Sequence, residues 1–340
     1  MRKITWRLGW VLLVLASLAQ TRAPGKTGLA AAPALPSSAS AGAPAPASTA
    51  LLGDYQALYQ EGVVAYQKKD AETALQRFGQ AEPYGRNDWR FLKDLYWQWA
   101  ATYRDLKKDN GKALEYYRKC VEVSQDLSEW PAYWAIYMQG VIAFENGDAG
   151  AALQSFSRAE LYGQKEWTFM NDLYWYWGAT YRDLKKDNAK ALEYYRQSEK
   201  VSQDLSESPA YWAVYMQGVI AYENRDAKTA LERFSRIEPS GKKDRTFMNN
   251  LYWYWAATYR ELEKDNIKAL ELYQKCVDAS PDPSVWPGYR AIYLTGVIAL
   301  ENGDKAAALI NFDQAEKYGK NDPAFLKEVH KMRETINPAP

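Results

Sequence analysis

The segment "YWAIYMQGVIAFENGDAGAALQSFSRAE", beginning at Tyr133, is apolar almost without interruption for about a dozen residues. It breaks at the polar "NGD" of Asn146 to Asp148 and resumes with apolar residues spaced by four and three at Ala152, Phe156 and Ala159. The long apolar run predicts a helix buried on several sides, the break a tight turn, and the spaced set a second helix with one apolar face. Pro131 stands where the first turn of a helix accepts proline, and Pro209 and Pro287 recur at the same place. A second pattern, "LYWYWGATYRDLKKDN" from Leu173, places Leu173, Trp177, Thr180, Tyr181 and Leu184 on one side of a helix and Trp175, Gly178, Ala179 and Arg182 on another. Here "KKDN" makes the turn.

Both patterns are repeated. The second recurs at Leu95 and Leu251, 78 residues to either side, and the middle copy matches its neighbours at 14 and 13 of 16 positions. The first recurs at Tyr55, Tyr211 and Tyr289, so 39-residue units alternate from Tyr55 onward. Seven units follow in order. A partial eighth, "FLKEVHKM" from Phe325, replaces the aromatic positions with His330, Lys331 and Arg333, as a terminal cap facing water requires.

The array resembles the tetratricopeptide repeat family over Tyr55 to about Ile336. The resemblance is carried by Gly140, Ala152, Phe156 and Ala159 in one unit and by Gly218, Ala230 and Phe234 in another. In the alternate pattern it is carried by Trp97, Trp175 and Trp253, by Ala101, Ala179 and Ala257, and by Ala113, Ala191 and Ala269. Units of 39 residues exceed the family's usual length, and its tyrosine three positions after the small residue is Ala143 or Arg182 here. The resemblance implies an all-α fold: an α-solenoid, a right-handed superhelix of about seven helical hairpins spanning 51–322, with a capping helix and tail at 323–340. Trp97, Trp175 and Trp253 are expected in its core.

The family directs certain first-helix positions to a concave groove. Carried over, they are Tyr59, Trp134, Tyr137, Phe144, Glu145, Tyr176, Trp212, Tyr215, Tyr222, Glu223, Tyr254, Tyr293 and Glu301. They would form a ladder of aromatic rings edged with carboxylates. The alternative for the same residues is packing between successive first helices. The family's carboxylate clamp of Lys, Asn and Arg is absent, its positions being Tyr, Gln, Val and Thr. An aromatic, mildly acidic groove suits an extended peptide segment, and flat rings also suit a sugar chain.

Composition narrows the function. Forty-three Lys and Arg against 42 Asp and Glu give a net charge of +1, so no electrostatic capture of nucleic acid or anionic lipid is expected. The 14 Trp and 26 Tyr are an excess that packing or a ligand must explain. The first residues, "MRKITWRLGWVLLVLASLAQ", pair a basic start with an apolar stretch ending near Ala19. This predicts a signal peptide, residues 1–19, cleaved after Ala19 and leaving no membrane insertion, the alternative being an uncleaved anchor. Residues 20–50, rich in Ala, Pro and Ser, read as an extended disordered tether.

No chemistry-bearing cluster emerges. His330 is the only histidine and lies in the cap, where it is expected to be solvated; no metal-ligand spacing or glycine-rich phosphate loop occurs, and no cofactor is expected. Cys120 and Cys276 occupy matching places where the middle copy has Ser198, and are expected as buried free thiols. The leading expectation is therefore a non-enzymatic protein-interaction scaffold, exported to the periplasm or beyond. Two alternatives stand beside it: a glycan-associated module of a polysaccharide secretion system, and a self-associating structural protein.

Overall fold

The computed structural model describes residues 54–202, 204 and 208–336. The expected signal peptide and tether lie outside the described residues. Those described form helices joined by short turns, with no strand among them. The chain divides into two compact units, one ending at Lys186 and the other beginning at Asp187.

In the first unit α1 (Asp54–Gln67), α2 (Ala71–Ala81), α3 (Trp89–Asp105), α4 (Asn110–Val123), α5 (Ala132–Glu145) and α6 (Ala149–Gly163) form three antiparallel hairpins. Helix α7 (Trp167–Ala179) packs on α6 and continues as a π-helical segment over Thr180–Lys185. The second unit opens with α8 (Asn188–Val201), which packs on α9 (Ala210–Glu223). Hairpins of α9 with α10 (Ala227–Ile237), α11 (Arg245–Thr258) with α12 (Asn266–Ala279) and α13 (Gly288–Glu301) with α14 (Lys305–Tyr318) follow, closed by α15 (Pro323–Ile336). Helix α11 also ends in a π segment, Tyr259–Glu263.

The turns follow from local chemistry. Asp70, Asp109, Asp148, Asp187, Asp226, Asp265 and Asp304 each cap the hairpin's second helix by accepting a backbone N–H from three residues on. Gly147 and Gly303 take positive φ just before two of these caps, where a side chain is strained. The recurring prolines stand one place earlier than expected: Pro131, Pro209 and Pro287 are the N-cap residues of α5, α9 and α13 rather than members of their first turns.

Four of the hairpins, those opened by α1, α5, α9 and α13, close on a glycine. A Cβ on Gly62, Gly140, Gly218 or Gly296 would fall 2.4 to 2.8 Å from a ring carbon of Phe78, Phe156, Phe234 or Phe312 on the partner helix. Those phenylalanines, with Ala152, Ala159 and Ala230, are fully buried, as the spacing predicts. Ala101, Ala179 and Ala257 are buried and Ala113, Ala191 and Ala269 fully so. Cys120, Cys276 and Ser198 are fully buried too, and burial pushes both thiols well above the usual range.

Two of the three expected core tryptophans are only partly buried, each against a fully buried tyrosine: Trp97 meets Tyr117 at 5.3 Å and Trp253 meets Tyr273 at 5.7 Å. Trp175 is buried, but Trp97 and Trp253 are half-buried at an edge, packed against Trp130 and Trp286 at ring separations of 6.1 and 5.7 Å. In α3 the deeper indole is Trp99, stacked on Tyr116 at 4.5 Å. His330 is exposed, as expected, but its Nε2 lies 3.0 Å from Glu316.

Candidate functional site

The predicted ladder is made by the first helices of successive hairpins. In the first unit Tyr137 of α5 lies among Trp134, Phe156, Phe169 and Tyr176, with ring centroids 5.4 to 5.9 Å away. Phe144 meets Tyr176 at 5.8 Å, and Tyr59 of α1 meets Phe78 and Phe91 at 6.1 and 5.8 Å. The second unit repeats the arrangement. Tyr215 lies among Trp212, Phe234, Phe247 and Tyr254, Tyr222 meets Tyr254 at 5.6 Å, and Tyr293 meets Phe312 and Phe325. Most of these contacts are edge to face, which satisfies the ring quadrupoles and fills the space between helices.

The structure therefore brings these rings together and buries many of them. Tyr137, Phe144, Trp212, Tyr215 and Tyr254 are each less than 8% exposed, the placement that packing between first helices produces. Tyr59, Trp134, Tyr176, Tyr222 and Tyr293 are half-buried. A sugar ring would need an open aromatic face to stack on, and in the five buried residues that face is covered by other side chains.

What the ladder exposes is its carboxylate edge. Glu145, Glu223 and Glu301 close α5, α9 and α13 and all face solvent. Arg104 donates to Glu145 Oε1 at 3.0 Å and Asn110 to its Oε2 at 3.0 Å; Arg260 and Asn266 hold Glu301 in the same way at 2.9 and 3.2 Å. Asn188 donates to Glu223 at 3.4 Å. Tyrosine hydroxyls add to the edge, Tyr66 donating to Asp105 at 2.7 Å and Tyr222 to Glu261 at 2.8 Å. Burial, reinforced by the facing carboxylate, raises both phenols far above the usual tyrosine range, so they remain donors. Trp134 turns its indole N–H to Glu166 at 3.3 Å, and Tyr133 donates to the same carboxylate. In the second unit an open cavity of about 510 Å³ lies along this edge, lined by Arg260, Glu261, Lys264, Asn266, Leu294 and Glu301.

Arg104, Arg260, Asn110 and Asn266 were not foreseen as site residues. Their signal was present in the repeat: each Arg follows the "ATY" of the second pattern and each Asn ends its "KDN". Among the described residues no cluster of His, Cys, Asp and Glu is placed to hold a metal ion, and no helix is long and apolar enough to cross a membrane.

No protein-family model matches the chain, and no curated protein matches it. Solved structures do. A tetratricopeptide repeat protein from Parabacteroides merdae aligns over 82% of this chain and 98% of its own, with 16% identity and a TM-score of 0.54. Pseudomonas aeruginosa pilF aligns over 72% and 99%, with 15% identity and a TM-score of 0.55. A signal-transduction ATPase with a tetratricopeptide repeat sensor, from Pyrococcus horikoshii, aligns over 82% of this chain and 44% of its own, with 17% identity and a TM-score of 0.65. At such identities the likeness is one of fold: the chain is an α-solenoid of tetratricopeptide-type helical hairpins.

Proposed function

We propose that the chain is a non-enzymatic interaction scaffold that holds an extended segment of a partner protein along the first helices of its hairpins. The observation that carries this reading is the carboxylate edge. In each unit a glutamate at the end of a first helix is held by an Arg and an Asn from the preceding hairpin, which fixes acceptor groups on a rigid surface facing solvent. Pre-positioned polar groups lower the ordering cost of binding, and helical-repeat stacks offer them along a line. Half-buried Trp134, Tyr222 and Tyr293 supply apolar area beside that line. A segment carrying basic and apolar side chains fits such a surface. The basic, apolar start of the sequence further supports export.

The test is capture of proteins from a cell-envelope extract by the full chain, beside a variant with Glu145, Glu223 and Glu301 all changed to Gln. Helicity of the two should agree, while the melting temperature should fall somewhat because Arg104 and Arg260 each lose a charged partner. A protein retained by the first and depleted at least about tenfold by the second is the expected result. Equal retention would remove the carboxylate edge from the reading, and no retention by either would remove the scaffold.

A further inference from the structure

The second unit carries a pocket at another place. Leu192 and Arg196 of α8, Gln217, Ala221 and Asn224 along and just past α9, and Asp226, Thr229 and Arg233 at the cap and along α10 enclose about 160 Å³. Its polar groups are unequally committed. The Gln217 amide N–H is given to Glu199 at 2.8 Å and Tyr195 O at 3.4 Å. Glu199 also takes Arg233 at 3.5 Å and Arg236, so one carboxylate serves two guanidinium groups. Asp226 accepts the Thr229 N–H at 3.0 Å as the helix cap, and the hydrogen bonds from Thr229 hold its carboxyl below the usual range. Arg196 makes no hydrogen bond or ion pair with any described residue. Cations thus outnumber the anions available to them.

The repeat supplies its own comparison. Over the 29 residues starting at Ala132 and at Ala210 the two copies differ at eight positions, and five of these fall between 147 and 155 of the earlier copy. There Gly147, Gly150 and Ser155 become Arg225, Lys228 and Arg233, while Gln154 becomes Glu232, a net gain of two positive charges. Bracing by Glu199 accounts for Arg233 and Arg236. It does not account for Arg196, nor for cations at two sites where the same fold accepts glycine.

We propose that this pocket binds the carboxylate of an acidic segment in a partner protein, seated between Arg196 and Arg233 and drawn in by the surrounding collar of Arg225, Lys228 and Arg236. Guanidinium groups suit carboxylates in shape as well as charge, and fixed cations beside an apolar wall, here Leu192 and Ala221, strengthen such a contact. The proposal rests on the scaffold reading only in taking the carboxylate to belong to a protein.

The experiment is calorimetric titration of the full chain with end-blocked hexaglutamate, hexaglutamine and inorganic phosphate. It is run on the natural protein and on the double variant Arg196→Gln, Arg233→Ser. Those replacements already stand at the matching positions as Gln274 and Ser155, so the fold accommodates them, and circular dichroism confirms it. Hexaglutamate is expected to bind, hexaglutamine not, and the double variant to bind hexaglutamate at least about tenfold more weakly, with affinity falling as salt rises. Equal binding by the double variant, or none by the natural chain, overturns the proposal. Phosphate held as tightly as hexaglutamate overturns the peptide assignment in favour of a small-anion site. Should hexaglutamate fail while envelope capture through the glutamate edge persists, this pocket falls alone and the scaffold reading stands.

Discussion

Asp94 shows how much one buried atom decides. Its Oδ1 is sealed from solvent without a hydrogen-bond partner, and burial pushes its pKa up to about 6 from an ordinary 3.8, with Lys93 opposing and Asp88 and Glu129 reinforcing the shift. Tyr59 of α1 and Cys120 of α4 feel its charge from the helices packed on either side. The matching residue of the last copy is Asn250, whose amide donates to Thr246 O at 2.8 Å. Folded Asp94 holds its proton more tightly than the unfolded chain does. Its contribution is therefore fully present below the unfolded value and is lost as pH rises through about 6. Asp94→Asn is expected to stabilise the protein by on the order of 2 kcal/mol at neutral pH and by little at about pH 4. Urea unfolding at both pH values measures this. The same gain at both would show that packing, not ionisation, is responsible.

Between helices, the deciding contact is glycine against a ring. Alanine in place of a helical glycine ordinarily stabilises by about 1 kcal/mol. At Gly140 a Cβ would lie 2.5 Å from Phe156 Cε1, 2.7 Å from Cδ1 and 3.1 Å from Ser155 Cβ. Gly140→Ala is expected to destabilise by about 1–3 kcal/mol despite its helix propensity. Gly150→Ala, in α6, meets nothing nearer than Asp148 Oδ1 at 3.4 Å and should be neutral or stabilising. A thermal melt in which both variants gain stability would show the hairpins to be loosely closed. This layer of the fold could be read from the chain, because small residues, phenylalanines and capping aspartates recur at fixed spacing. The faces of the first helices could not. A helix apolar nearly all round gives periodicity nothing to report, so Trp97 could not be told from Trp99, nor a groove tyrosine from a packed one. Tyr117, Tyr195 and Tyr273 are different: fully buried on the second helices α4, α8 and α12, they stand four residues after Ala113, Ala191 and Ala269, a spacing that the sequence does show. The π segments were hidden. Thr102, Thr180 and Thr258 all turn their hydroxyls to the carbonyl four residues back at 2.8 Å, yet only the last two open π segments, so the near-identical sequences do not reveal them.

In both compact units the same exchange of aromatics closes alternate hairpins, those of α1, α5, α9 and α13, with the helix that follows. Phe91 reaches back to Tyr55, Phe169 to Tyr133, Phe247 to Tyr211 and Phe325 to Tyr289, at ring separations of 4.5 to 4.9 Å. The last of these belongs to the cap α15, whose Phe325, Val329 and Ile336 are buried while His330 and Lys331 face water. The cap therefore completes the final hairpin. If stability is a sum over neighbouring hairpins, damage at the cap should stay local. Phe325→Ala removes a fully buried ring that also meets Tyr293 at 5.5 Å and carries Arg290 over its face at 5.0 Å. The expected cost is about 3–5 kcal/mol. Amide hydrogen exchange should lose protection in α13, α14 and α15 and keep it in α1 to α6. Uniform loss along the chain would mean that the protein unfolds as one cooperative body, and would refute the nearest-neighbour account of a chain built by copying two patterns in alternation.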